Sequence, residues 1–125
     1  MPTSSKIIPI YTSRGDVGAY LAYPYIFNPR GEWIGWVASD RNVYSVYGHH
    51  VGTLSKEPRI LRPREWSFAS ERRPSPPAPA PIRLPSHVPL PPLMSEIAQN
   101  LIDVLADAPH LLPPPGGGEL NADMD

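Results

Sequence analysis

Short apolar and aromatic runs alternate with glycine-containing turns along the first half of the chain. The runs before the turns are residues 10–11, 26–27 and 43–47, and those after the turns are residues 17–21, 34–37 and 51–54. β-Branched and aromatic residues on both sides of a glycine turn are typical of β-hairpins. The pattern therefore predicts three consecutive hairpins in an all-β domain.

The glycines of these hairpins occur in repeated pairs. The pairs are Gly15 and Gly18, Gly31 and Gly35, and Gly48 and Gly52, and the second members are seventeen residues apart. A fixed step in a short chain indicates one small unit that is copied. The first glycine of each pair suits a turn that needs positive φ. The second lies inside an apolar run, where it predicts a structural corner and not a binding residue. The pairs differ in spacing by one residue, which a β-bulge absorbs.

Tandem hairpins that read aromatic, turn, Arg-Gly, apolar, Gly and aromatic resemble the bacterial four-fold β-flower family. The resemblance implies a small, shallow all-β barrel whose petals are short hairpins, in a family of unknown function. It also implies an analogy with tubby-like and scramblase domains, which engage lipid. The resemblance covers about residues 6–68, and three petals are clear. A fourth petal is expected from Ile60, Leu61 and residues 66–68, with residues 6–11 closing the ring.

The composition changes at Pro74, where a proline-rich segment begins that we bound at residues 69–93. Nine of the nineteen residues from 74 to 92 are proline, which favours an extended polyproline II conformation. Three interpretations are open: a free spacer, a strap lying across an aromatic surface, and a peptide ligand. The proline content favours the free spacer first, and apolar residues alternating with proline suit the strap. The ligand interpretation rests on the spacing of Arg73, Pro76 and Pro79, which is typical of SH3 ligands.

An amphipathic helix is predicted over residues 94–109. Ser95 is a suitable N-cap, Pro109 ends the pattern, and the apolar residues lie on one face. The candidate helix interface consists of Ile97, Leu101, Val104 and Leu105. A helix of about 14 residues is marginal alone in water, so it needs a partner surface. Its own barrel, a second copy of the chain and another protein are the alternatives. Residues 110–125 are expected to form a disordered acidic tail.

Charge and composition limit the classes of molecule that the chain is expected to bind. The net charge is −1, with a balance of +4 over residues 1–73 and −5 over residues 74–125, so no overall field attracts nucleic acid or membranes. The chain has no cysteine. No signal peptide is evident after Met1, and no apolar run approaches the about 18 residues of a membrane span. We expect a cytoplasmic protein without a transmembrane segment.

Catalytic and metal-binding patterns are not evident, and we expect neither an enzyme nor a cofactor. His49 and His50 are adjacent, and adjacent strand residues point to opposite faces, so we interpret them as turn residues and not as metal ligands. No serine lies in a nucleophile elbow. Arginines between Arg59 and Arg73 lie near Trp66 and permit weak single-stranded nucleic-acid binding as a third hypothesis.

The aromatic residues are all in the first 68 positions, which is too small a domain to bury them all. We expect the following to form an aromatic interaction surface: Tyr20, Tyr23, Tyr25, Trp33, Trp36, Tyr47 and Trp66. The leading hypothesis is a non-enzymatic structural or protein-interaction module. The alternative is binding of lipid or a small apolar ligand in the barrel channel.

Overall fold

The computed structural model describes residues 7–65, 73–80, 82–85, 88, 90–91, 93 and 96–115. Within these residues, eight strands form one antiparallel sheet in chain order. The sheet is curled into a half-barrel, which confirms the predicted all-β class. The strands are β1 Ile8–Tyr11, β2 Val17–Ala22, β3 Tyr25–Phe27, β4 Trp33–Val37, β5 Asn42–Ser45, β6 His50–Leu54, β7 Ile60–Pro63 and β8 Leu101–Asp103.

The first three petals are hairpins that share one turn design. A polar residue opens each turn, and its side-chain oxygen accepts a hydrogen bond from the backbone N–H two residues later. These residues are Thr12, Asn28 and Ser45. The turn glycines Gly15, Gly31 and Gly48 have φ of +92°, +84° and +89°, which side-chain-bearing residues rarely adopt. The strand register shifts once in each hairpin, as a bulge requires.

One residue from the first strand of each petal forms the centre of the hydrophobic core. These residues, which we call the central four, are Ile10, Ile26, Val43 and Ile60. All four are fully buried. They follow one another at steps of 16, 17 and 17 residues, so the core repeats with the petals. Burial of each such side chain stabilises the fold by about 1.5–3 kcal/mol.

The second glycines of the second and third pairs, Gly35 and Gly52, mark places where neighbouring petals approach closely. A Cβ on Gly35 would lie 2.5 Å from the carbonyl oxygen of Tyr44, in the next petal. The nearest atoms at Gly18 belong instead to the side chains of Thr12 and Leu105, at 2.9 and 3.0 Å. Glycine is therefore needed at position 35 because a backbone group, which cannot rotate away, occupies the space.

The fourth petal is completed by a strand from the far end of the chain. β7 contains the expected Ile60 and Leu61, and it pairs with β8. Residues 64–100 lie between the two strands, and the partner expected at 66–68 is outside the described residues. The sheet therefore extends beyond residues 6–68, the bounds predicted for the barrel.

The predicted helix over residues 94–109 is too long. A short helix at the C-terminal end is confirmed, but it comprises only α1, Val104–Asp107, followed by a 3₁₀ helix at Pro109–Leu111. Leu101 lies in β8, opposite Pro63 of β7. A helix of about 14 residues gains little stability in water by itself. The edge of β7 offers backbone hydrogen bonds in addition, so strand pairing overrides the helical periodicity.

A buried polar network joins the fourth petal to the first. Asp103, which is 1% exposed, accepts hydrogen bonds from the backbone N–H and hydroxyl of Ser13 at 2.6 and 2.7 Å. It also caps α1 by accepting from the N–H of Ala106 at 3.3 Å. Arg59, which is 4% exposed, donates to the Ser13 hydroxyl at 3.1 Å and to the Glu57 carboxylate at 2.9 Å. The network links residues 90 positions apart in the chain.

Replacement of the buried aspartate is expected to destabilise the fold strongly. Asp103→Ala removes the helix cap and leaves the Ser13 donors without their acceptor, which lowers the free energy of unfolding by about 2–4 kcal/mol. Asp107→Ala is the matched control, since Asp107 is half-exposed and lies 3.6 Å from Arg14. The Asp107→Ala substitution is expected to lower the free energy of unfolding by less than about 0.5 kcal/mol. Urea unfolding followed by circular dichroism measures both, and equal effects would contradict the assignment.

The two corner glycines are expected to differ in their tolerance of a methyl group. Gly35→Ala forces apart the backbones of two petals and costs about 1–3 kcal/mol. The expected cost of Gly18→Ala is smaller, because the nearest atoms belong to the side chains of Thr12 and Leu105, at 2.9 and 3.0 Å, and not to the backbone. Thermal unfolding of the two variants compares them directly, and a more damaging substitution at position 18 would show that the carbonyl contact does not decide the requirement for glycine.

Candidate functional site

A row of aromatic rings crosses four strands. It consists of direct cross-strand partners, which we call the aromatic row: Tyr25, Trp36, Tyr44 and His50. The rings of Trp36 and Tyr44 are stacked, with 4.6 Å between centroids and 17° between planes. The centroids of Tyr44 and His50 are 5.2 Å apart. Adjacent residues on a strand point to opposite faces, so the row lies on the face away from the core residue Val43.

Arg73, at the start of the described proline-rich residues, is docked on this row. Its guanidinium carbon lies 4.8 Å from the centre of the Tyr44 ring, within the range of a cation–π interaction. Its backbone N–H donates to the carbonyl oxygen of Gly48 at 2.9 Å. A Cβ at position 48 would overlap the carbonyl oxygen of Arg73, so glycine permits this approach. The Ser75 hydroxyl adds a hydrogen bond to the carbonyl oxygen of Val46.

The proline-rich residues continue past the tips of the other two petals. Leu84 Cγ lies 3.9 Å from the position of a Cβ on Gly31, and Pro91 Cγ lies 4.0 Å from that of a Cβ on Gly15. The segment therefore meets the third, second and first petals in turn, which agrees with the strap interpretation. We call its described residues between 73 and 93 the strap. Two strap residues, Leu90 and Leu93, are fully exposed.

Two clefts flank the tip of the third petal, and Tyr47 lines both. The strap cleft, of about 390 Å³, is bounded by Val46, Tyr47, Arg73, Pro74 and Ser75. The histidine cleft, of about 310 Å³, is bounded by Ser45, Tyr47, His49, Val51, His110, Leu111 and Pro113. The third petal thus borders two clefts, one between it and the strap and one between it and the C-terminal segment.

His50 is held as a neutral ring at the end of the aromatic row. Burial lowers the pKa of His50 below its ordinary value of 6.5, and the positive charge of Arg73 acts in the same direction. The hydrogen bond to Gly52 and the carboxylate of Asp40 oppose this shift in the pKa. His50 Nε2 lies 3.0 Å from the carbonyl oxygen of Gly52. Because a carbonyl only accepts, Nε2 carries the proton.

The aromatic residues predicted as an interaction surface do not form one open face. Tyr20 and Trp36 are buried, Tyr25, Trp33 and Tyr47 are half-buried, and Tyr23 is 62% exposed. Trp66 is outside the described residues. The rings of Tyr25 and Trp33 pack edge to face, 6.2 Å apart. Most of these rings therefore pack against neighbouring side chains and only Tyr23, among those described, is largely presented to solvent.

The residues predicted as a helix interface lie against the chain's own sheet. Val104 is fully buried in the core, Leu105 packs on it, and Ile97 and Leu101 are half-buried. A Cβ on the corner Gly35 would lie 3.0 Å from Leu112. The C-terminal segment therefore covers the core side of the sheet, which is the side considered for an apolar ligand.

Several charged residues that were candidates for binding nucleic acid or a metal ion make hydrogen bonds or ring contacts within the chain. Arg59 belongs to the buried network, and Arg64 donates to the carbonyl oxygen of Gln99 at 2.9 Å. Across the described ranges, no three His, Asp or Glu side chains are grouped as a metal ion requires. His49 and His50 separate, one to the histidine cleft and one to the aromatic row. None of the helices described is long and apolar enough to span a membrane.

The contacts that hold this site together are not evident in the sequence. The spacing of Arg73 with the following prolines predicts a peptide ligand and gives no sign of its contact with Tyr44. The adjacency of Tyr44 and Trp36 was detectable, because both occupy strands of consecutive hairpins. The docking of Arg73 was not, since it depends on the path of the strap. His110 was assigned to the tail, and nothing in its neighbourhood indicated that it faces His49.

Comparison with known proteins agrees with this architecture. The 4-fold beta flower family matches residues 8–100, which is 93 of the 125 residues. The chain belongs to this family, which is of unknown function and is not a known enzyme family. No curated protein and no solved structure matches the chain.

The lowered pKa of His50 predicts a loss of stability in acid. In the unfolded chain the pKa of His50 returns to its ordinary value, so the unfolded chain binds a proton at this ring more tightly than the folded chain. The stability that the neutral ring contributes to the folded state is therefore complete above about pH 6.5 and is lost as the pH falls below it. Replacement of His50 by Phe keeps a ring in the row and removes the titration. We expect the pH dependence of the unfolding free energy between pH 7.5 and 5.5 to be shallower in His50→Phe than in the unchanged protein. His49→Ala is the control, and an unaltered slope in His50→Phe would refute the assignment.

Proposed function

We propose that the protein is a non-enzymatic protein-interaction module whose third petal and aromatic row bind extended, proline-rich peptides. In the isolated chain the strap occupies this site. The proposal rests on one observation, the docking of Arg73 on Tyr44 and Gly48. A family without known enzymes and the absence of a metal cluster from the described residues are compatible with it.

Arg73 docks through a cation–π contact and a backbone hydrogen bond, and Pro74 lines the strap cleft together with Tyr47. Proline-rich segments are already extended, so they lose little conformational entropy on binding. Aromatic rings accept the prolines, and a basic residue adjacent to them fixes the direction of the peptide. Here the ring is Tyr44, and the peptide is the segment Arg73-Pro74-Ser75. The Gly48 carbonyl and the Val46 carbonyl accept hydrogen bonds from it.

The strap competes with any external peptide for the same contacts. A tethered segment has an effective concentration in the millimolar range for short flexible linkers. A separate peptide that makes the same contacts must exceed this value to replace it. The site is therefore closed in the isolated chain and opens when the strap is weakened or when a partner binds more tightly.

A labelled peptide with the sequence of residues 73–80 tests the proposal against the full-length chain. Arg73→Ala weakens the strap in place but leaves the peptide intact. Loss of a cation–π contact is worth about 1–2 kcal/mol, so the variant binds the peptide about five- to thirty-fold more tightly than the unchanged chain. Fluorescence anisotropy measures the two dissociation constants.

Arg83→Ala is the matched control, because Arg83 is an exposed arginine of the same strap. This variant is expected to bind the peptide as the unchanged chain does. A second peptide, in which alanine replaces the arginine, is expected to bind the Arg73→Ala chain more weakly. Absence of peptide binding to every chain, or equal binding to all of them, would rule out the third petal as a peptide site.

A further inference from the structure

The histidine cleft is independent of the strap and of the aromatic row's contact with Arg73. We propose that it binds a small, mainly apolar molecule that carries one carboxylate or a similar anionic group. The volume of about 310 Å³ lies at the lower end of the range of about 300–1,000 Å³ for ligand pockets. It suits a ligand with a single short chain or ring.

The petal wall of the cleft is held by the turn design of the third hairpin. The Ser45 hydroxyl accepts hydrogen bonds from the backbone N–H groups of Tyr47 and His49, each at 3.3 Å. The backbone N–H of Ser45 donates to the carbonyl oxygen of His49 at 2.8 Å. Val51, which lines the same wall, is almost completely buried. Tyr47 and His49 are therefore presented by a fixed backbone.

The opposite wall is held by the C-terminal segment. The N–H of Leu111 donates to the carbonyl oxygen of Ala108 at 3.0 Å, and the N–H of Leu112 donates to that of Pro109 at 3.1 Å. Leu112 is buried in the core, so the 3₁₀ helix that carries His110 is attached at its end. Both walls exist before a ligand arrives, which lowers the entropic cost of binding.

The chemistry of the walls selects an apolar anion. Leu111 and Pro113 offer apolar surface, and the cleft is lined by His49 from the petal and by His110 from the C-terminal segment. An imidazole donates one hydrogen bond when neutral and two when protonated. The described residues that line the cleft include no aspartate or glutamate. Among these described residues a carboxylate therefore finds hydrogen-bond donors, whereas an ammonium group finds no acid to pair with.

Decanoate and decylammonium are probes that differ in the sign of their head group. Isothermal titration calorimetry of the full-length chain is expected to show one site for decanoate and at least about tenfold weaker binding of decylammonium. His110→Glu places an acid on an exposed position of the wall. This variant is expected to bind decanoate at least about tenfold more weakly and decylammonium more tightly than the unchanged chain, which reverses the preference between the two probes.

Arg83→Gln removes one positive charge from the strap, away from the cleft, and controls for the change in net charge. It is expected to leave both dissociation constants unchanged. Three results would overturn the inference: no binding of decanoate, equal binding of both probes, or decanoate binding that His110→Glu does not weaken. None of these results bears on the peptide site, because the two clefts share only Tyr47, and neither substitution changes that residue.

Discussion

The burial of the central four is the interaction on which the rest of the fold depends. Each petal is too small to bury an apolar face alone, and each contributes one β-branched side chain to a shared centre. The turn glycines and bulges bring the strands to the angle at which these side chains meet. The C-terminal segment covers the same centre from its open side, where Val104 and Leu112 join the cluster. The hydrophobic core is therefore shared by the petals, and none of them has a core of its own.

Local physical chemistry explains which parts of this fold could be predicted. The hairpins, the turn glycines and the repeat depend on neighbouring residues, and their signals are periodic. The eighth strand depends on a pairing between β7 and β8 across residues 64–100. The spacing of Leu101, Val104 and Leu105 in the sequence predicts a helix in place of this strand. Likewise, the aromatic residues indicate a surface, but packing against neighbouring side chains decides which of the described rings remain exposed. The presence of His110 and His49 in one cleft follows from tertiary packing alone.

The third petal differs from the first two in what surrounds its tip. Its Tyr47 stands between the strap cleft and the histidine cleft. Its Gly48 accepts the closest approach of the strap, and its His50 ends the aromatic row. The first three petals share one turn design, so the differences between them arise from variable turn residues and from the segments that pack against them. A symmetric scaffold thereby carries an asymmetric pair of sites.

The late position of the eighth strand has a consequence for how the chain is made. Three petals can form as soon as their hairpins leave the ribosome, because their contacts are local. The contact between Ser13 and Asp103 spans 90 residues, so it forms only after residue 103 has been made. Until then the edge of β7 is unpaired and the central four are uncovered on the side of the C-terminal segment. A chain cut before residue 101 lacks β8 and presents this unpaired strand edge to its neighbours.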